Sequence, residues 1–233
     1  PVTEFEDSLN VLMLPYLYRD ADHMFNVLNG EVGEQLLANL EESSNLVGLV
    51  WFDGGGRSFY NTKRDVNAPE DLEGLKIRVQ ETEMMMDLVE ALGGSPVVLA
   101  YGDVYSALQT GVIDSAENNF PSYYSSYHFE VAQHFTLDEH SRIPEIIITS
   151  SDVWDTISDA DKEVIREAAL EAQEFQRGEW DDYEKVSEDA VVEAGCTITR
   201  LDSNEAFQEK VQPLYEKYGA GYEDIVDAIL AVE

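Results

Sequence analysis

Three stretches of the 233-residue sequence carry side chains suited to holding an anion. The first is Gly54-Gly55-Gly56-Arg57-Ser58-Phe59-Tyr60-Asn61, a glycine run leading into an arginine. The second is Leu72-Glu73-Gly74-Leu75-Lys76-Ile77-Arg78-Val79, in which Arg78 stands among apolar neighbours. The third runs from Tyr105 to Asp114 and on to Glu117-Asn118-Asn119. A guanidinium is a planar fork of donors that matches a carboxylate in bidentate fashion. Arginine is scarce here, 8 residues against 48 acids. A structural ion pair with one of those acids is the competing account of Arg78 and of Arg57.

Other residue types could do chemistry but lack the spacing for it. His128, His134 and His140 stand six apart, which puts them on no common helical face, and one strand holding them would have to be very long. Hydrogen-bonded or solvent-facing histidines are expected, with no metal site. Met84-Met85-Met86 reads as core or lobe-interface packing. The triple glycine lacks the pattern of a phosphate-binding loop. Ser106 and Ser141 sit in no nucleophile motif. Cys196 is the sole cysteine, so no internal disulfide forms, and a buried structural thiol is expected.

These groups need a scaffold, and the apolar pattern supplies one. Residues 9–14 read as a buried strand or turn segment stopped by Pro15. Asp20 caps a helix through His23, Phe25 and Val27. A second helix over 31–42 aligns Val32, Leu36, Leu37 and Leu40. Leu46 to Phe52 reads as a buried strand followed by the glycine loop, which places Arg57 on a loop. A turn at Pro69-Glu70-Asp71 precedes a strand over 75–79. A helix over 83–92, a strand over 96–100 and a short helix over 104–109 follow. Strand-like pieces begin at Val112 and Glu145. Strands alternating with helices indicate an α/β sheet.

Residues 158–194 predict one long helix, or two joined near Gly178, opened by Ser158 and Asp161 as a capping box. Val164, Ala168, Ala172, Phe175, Tyr183, Val186 and Ala190 recur along it at three- and four-residue spacing. A helix far above the usual length of about 11–12 residues can bridge two lobes. A strand over 197–201 and helices over 204–218 and 221–232 close the chain.

Composition narrows the function. The net charge of −34 comes from acids dispersed along the whole chain. It argues against nucleic acid, whose recognition needs clustered cations. It also makes the compact state repel itself at low ionic strength, where screening is weak, and predicts a salt-loving source. No apolar run approaches the roughly 18 residues of a membrane span. No signal-peptide pattern opens the chain, and the start at Pro1-Val2-Thr3 reads as a mature or trimmed form.

Taken together, the quoted stretches resemble the solute-binding proteins of TRAP (tripartite ATP-independent periplasmic) transporters. The resemblance runs from Leu14-Pro15-Tyr16-Leu17-Tyr18-Arg19-Asp20 through Gly56-Arg57 and residues 71–79, and peaks between Tyr105 and Asn118. It implies an α/β, two-lobed periplasmic-binding-protein-like fold with a hinge-spanning long helix. The expected division is 1–55 with 144–183 as lobe I, and 56–143 with 184–233 as lobe II. Family members carry a strand–helix–strand unit before the Leu-Pro stretch, which this sequence lacks, so lobe I is expected to be incomplete.

The resemblance further implies a ligand-binding set. Arg78 matches the carboxylate-clamping arginine, Asn118 an asparagine bonding the same carboxylate, and Arg57 a second arginine reaching the ligand. Tyr101 matches an aromatic wall, and Glu81 a position that tunes ligand choice. Glu117-Asn118-Asn119-Phe120-Pro121-Ser122-Tyr123 and Asp138-Glu139-His140-Ser141-Arg142 resemble branches that take sugar acids such as uronates. C4-dicarboxylates and a sensory ligand-presenting module are the alternatives. The expectation is an extracytoplasmic, monomeric, non-enzymatic subunit without cofactor, working with TRAP membrane subunits on a small organic anion.

Overall fold

The structure, a computed structural model, describes residues 2–233. After a short 3-10 turn at Val2–Glu4 comes a 3-10 segment, Asp7–Met13, where Ser8 N donates to the Glu6 carboxylate at 3.1 Å. This corrects the strand or turn read over residues 9–14. Leu9, Val11, Leu12 and Met13 are all buried, and an apolar run buried from several sides has no period to separate helix from strand. Helix α1 (Ala21–Leu28) follows, its first turn capped by Asp20 Oδ1, which accepts from His23 N at 2.7 Å. Helix α2 (Glu31–Ser43) packs beside it.

The apolar run Leu46–Phe52 forms strand β1. Only Asp53, Gly54 and Gly55 separate it from strand β2 (Gly56–Asn61). Gly56 pairs with Arg142, so Arg57 sits on a strand and not on the loop expected for it. The glycines end the loop earlier than their number suggests. Strand β3 (Lys76–Val79), helix α3 (Glu83–Ala91) and strand β4 (Ser95–Val98) come next. Helix α4 (Val104–Thr110) ends at Gly111, whose φ of 74° is the left-handed stop that glycine adopts without cost. Strand β5 (Ser115–Asn118) begins just beyond the Val112 piece read from the pattern, and helix α5 (Phe120–Ser125) follows under an Asn119 cap.

Strand β6 (His134–Arg142) and helix α5 escaped the pattern reading. In β6 the register against β2 jumps between Arg57↔Ser141 and Phe59↔Thr136. The extra residues form a bulge containing Glu139 at φ 44°, and a bulge breaks the alternation by which strands are recognised. It also explains how His134 and His140 share one strand. Strand β7 (Glu145–Ser150) and the short helix α6 (Ser151–Trp154) lead to helix α7 (Asp159–Glu193), then strand β8 (Thr197–Arg200), helix α8 (Glu205–Tyr218) and helix α9 (Glu223–Ala231).

Two sheets result. β1 and β7 form an antiparallel pair, and the larger sheet runs β4-β3-β5-β2-β6-β8. β1 continues into β2, and β6 into β7, so two extended connectors cross between the sheets. The fold is two-lobed α/β. One apolar core joins the 3-10 segment, α1, α2 and Trp51 to Met84, Val226 and Ile229. A second surrounds β3, α3 and α8, and a third surrounds α4, β5 and α5. Met84 belongs to the first core and Met85 to the second. Helix α9, which the sequence division put with lobe II, packs through Val226 and Ile229 in the first core.

Helix α7 runs unbroken through Gly178 for 35 residues and packs on both β1 and α5. Ser158 Oγ accepts from Asp161 N at 3.2 Å at its start. The apolar stripe read along it is not the face it buries. Phe175 is 70 % exposed and Val164 and Val186 are also exposed, while Gln173, Ser187 and Val191 are buried. Gln173 Nε2 donates to Trp51 O at 2.8 Å. Gln176 exchanges two bonds with the Asp53 backbone, at 3.0 and 2.9 Å. Amide side chains, not apolar ones, fasten the long helix to the end of β1.

Candidate functional site

The site is built where β2, β5 and the β6 bulge meet. Arg57 on β2 points across the sheet to β5. Its Nε donates to Glu117 Oε2 at 2.6 Å, its Nη2 to Glu117 Oε1 at 2.8 Å, and its Nη1 to Asn118 Oδ1 at 3.1 Å. Glu117 is fully buried, and so is His140 from the bulge, whose Nε2 lies 3.5 Å from Glu117 Oε2. On its other side His140 Nδ1 meets Asp138 Oδ2 at 2.9 Å. Asp138 is held in turn by Phe59 N at 3.0 Å and Tyr16 Oη at 3.3 Å. The Phe59 ring stacks on the imidazole at 4.3 Å.

The charges decide the protonation. Burial alone would raise the Glu117 carboxyl, but Arg57 and His140 hold it down to about 2. Burial alone would lower His140, but Asp138 and Glu117 raise it to about 9. Arg57 is likewise driven down by burial and up, on balance, by Glu117. The row is therefore Arg⁺, Glu⁻, His⁺, Asp⁻, each charge flanked by its opposite. The sequence reading singled out Arg57 but not Glu117 or Asp138. The bulge that brings Asp138 and His140 together has no local signature.

A cleft of about 410 Å3 opens against this row. Arg57 and Asn118 line it from the larger sheet and Asn119 and Ser122 from the start of α5, with Asp53, Gly54, Gly55 and Glu145 from the crossover region and Trp180 from α7. Asn118 Oδ1 accepts from both Arg57 and Asn119 N, the latter at 2.9 Å. Its amide nitrogen is thereby turned away and donates to no described residue. Asn119 caps α5 through Ser122 N at 2.7 Å and donates to Gly54 O at 2.6 Å. Gly55 takes φ 74°, and a Cβ there would stand 2.3 Å from Glu184 Oε1 and 3.1 Å from the Asn119 Cβ. Only glycine fits between α7 and α5.

Arg78 lies beside this cleft without lining it. It is 5 % exposed, its Nε donates to Leu99 O at 2.8 Å, and its guanidinium sits 5.8 Å over the Tyr101 ring. Burial lowers its pKa, against the pull of Glu117. Its two terminal nitrogens make no hydrogen bond, and Arg78 makes no ion pair, with any described residue. The ion-pair account left open for both arginines thus holds for Arg57 and not for Arg78. Tyr101, 45 % exposed, donates to Ser122 O at 3.4 Å. His128 beside them is lowered to about 4, by burial first and by Arg78 second. It is neutral at pH 7 and shares a 2.8 Å hydrogen bond with the Tyr60 hydroxyl. Glu81 is exposed and does not line the cleft. His134 pairs with Asp65 at 2.7 Å, and the buried Cys196 accepts from Tyr123 Oη at 3.4 Å.

Known proteins share this arrangement of chain. A solute-binding protein from Chromohalobacter salexigens is 41 % identical over 94 % of this chain, which spans 65 % of that protein's length. The crystal structure of a TRAP periplasmic solute-binding protein from the same species, with bound D-glucuronate, superposes with a TM-score of 0.95 at 39 % identity. It covers 100 % of this chain, which spans 78 % of that one. A Bradyrhizobium TRAP periplasmic solute-binding protein, in complex with D-galacturonate, gives 0.91 at 40 % identity, covering 99 % of this chain and 77 % of its own. The model of bacterial extracellular solute-binding protein family 7, DctP, matches residues 1–221, and the chain belongs to that family.

Proposed function

We propose that this protein captures a uronate between the cleft beside β2 and β5 and the adjoining Arg78, and serves as the extracytoplasmic binding subunit of a TRAP transporter. The carrying observation is Arg78, a buried guanidinium whose two terminal nitrogens have no partner among the described residues. Desolvated cations without partners are costly, and an incoming carboxylate relieves that cost. Arg78 and the amide of Asn118 bind the carboxylate, with Arg57 as the second cation and Tyr101 as an aromatic wall. Glu81 would stand at the rim. The D-glucuronate and D-galacturonate held by the two similar crystal structures support a sugar acid as the ligand.

Binding and release would be the work of two lobes joined by the connectors at Asp53–Gly55 and Ile143–Pro144 and by α7. Closure about these three crossings would bury the ligand, and membrane subunits would then receive it. The test is calorimetry with D-glucuronate and D-galacturonate in molar salt, which screens the chain's own negative charge. Losing a buried charge partner costs about 2–5 kcal/mol, so Arg78→Ala should weaken binding roughly thirtyfold to several thousandfold. An unchanged affinity rules out the role given to Arg78.

A further inference from the structure

The cleft is lined by two chemically different sets of groups. Arg57 and Asn118 supply donors from the larger sheet, and two carboxylates, Asp53 and Glu145, line the wall by the crossovers. They are not equivalent. Asp53 Oδ1 already accepts from Gly55 N at 2.8 Å and from Arg142 Nη1 at 3.3 Å. Glu145 accepts from no described residue and pairs with no described cation. It opens β7, opposite Phe52 in β1, so its backbone is set by the smaller sheet while Arg57 is set by the larger one. Its side chain is packed against Gly54, where a Cβ would stand 3.6 Å from Glu145 Cγ and 3.8 Å from Oε1. The carbonyl of that same Gly54 accepts from Asn119 Nδ2 at 2.6 Å.

We propose that Glu145 is a specificity-determining residue that accepts hydrogen bonds from the hydroxyls of the ligand and rejects a second carboxylate. The inference rests on the binding site proposed above. A carboxylate is an acceptor only, with two oxygens that suit a pair of neighbouring hydroxyls, and such charge-assisted bonds are stronger than neutral ones. A ligand with one carboxylate and several hydroxyls satisfies both sets of groups. A ligand with a carboxylate at each of its own ends sets like charges against each other at Glu145, and repulsion of that kind is how a site excludes a near relative of its ligand. Glu145 would thus take the ligand-tuning part that the family resemblance implied for Glu81, which is exposed and outside the cleft.

The test compares D-glucuronate with D-glucarate, which carries a second carboxylate, on the wild-type protein and on Glu145→Gln, by calorimetry in molar salt. Glu145 is exposed, so the variant should keep its fold, and matching melting curves verify this. Glutamine keeps the shape, replaces one acceptor by a donor and removes the charge. Affinity for glucuronate should fall about tenfold and affinity for glucarate should hold or rise, so the preference collapses by roughly ten- to a hundredfold. An unchanged preference with intact glucuronate binding overturns the role of Glu145 alone. A wild-type protein that binds neither sugar acid overturns the proposed function and this inference with it.

Discussion

Two charge clusters flank the same cleft, and they are balanced differently. In the row Arg57–Glu117–His140–Asp138 every charge has an opposite neighbour, and the pKa values are driven apart, Glu117 to about 2 and His140 to about 9. Around Arg142, where the connectors and α7 converge, three carboxylates share one guanidinium. Arg142 Nη1 reaches Asp53 at 3.3 Å and Nη2 reaches Glu139 at 3.1 Å. Glu184 from α7 is left over, and burial, aided by Asp53 and Glu139, pushes it up to about 7 despite Arg142. Burial raises both Glu117 and Glu184, so it is not what separates them. The ratio of cations to acids is. The balanced row brings Arg57 to the cleft fully paired, while the unbalanced one places a group raised to about 7 beside the crossing point of the lobes.

The largest effect should come from breaking the balanced row. Glu117→Ala leaves Arg57 and His140 facing each other without their shared anion. Uncompensated buried charge of this kind costs about 3–5 kcal/mol, read as a lower midpoint in urea unfolding at fixed salt. A loss below 1 kcal/mol would mean that the row relaxes without its centre.

A smaller effect should appear on the alkaline side. Folded His140 keeps its proton up to about pH 9, whereas an unfolded histidine releases it near 6.5. Its contribution is complete below pH 6.5 and disappears as pH rises through 9, on the order of 3 kcal/mol. Wild type should lose stability across that window, and His140→Gln should be flatter there. Parallel profiles would remove His140 as the source.

The smallest effect has the opposite sign. Folded Glu184 holds its proton to about pH 7 and unfolded glutamate only to about 4.5. Ionisation penalises the folded state increasingly as pH rises from 4.5 through 7. Glu184→Gln should therefore stabilise the protein above pH 7, by about 1 kcal/mol after allowance for partial exposure. For a chain of this size that is a rise in Tm of about 2–4 °C. No rise at pH 8, with none at pH 5, would show that Arg142 serves all three acids.

Local rules located most of the scaffold. Asp20 and Ser158 begin helices because a short polar side chain satisfies a free backbone N–H, and Leu46 to Phe52 is a strand because it is apolar and short. They failed where the answer depended on a partner distant in sequence. β2 was hidden because its pairing with β6 starts at a glycine, and β6 because its bulge interrupts the alternation. On α7 the period was legible but not the face, since an amphipathic stripe does not say which side finds a neighbour. The packed side instead carries Gln173 and Gln176, whose amides bond to the end of β1.

The sequence by itself determined the residue types, the helix caps, the net charge of −34 and the presence of two arginines near strands. Only the tertiary structure decided which arginine was already paired. Glu117 stands 60 residues from Arg57 and neutralises it across the sheet, while the terminal nitrogens of Arg78 have no partner among the described residues. That distinction turns on distances of a few ångströms between segments far apart in the chain, and spacing along a sequence carries no such information.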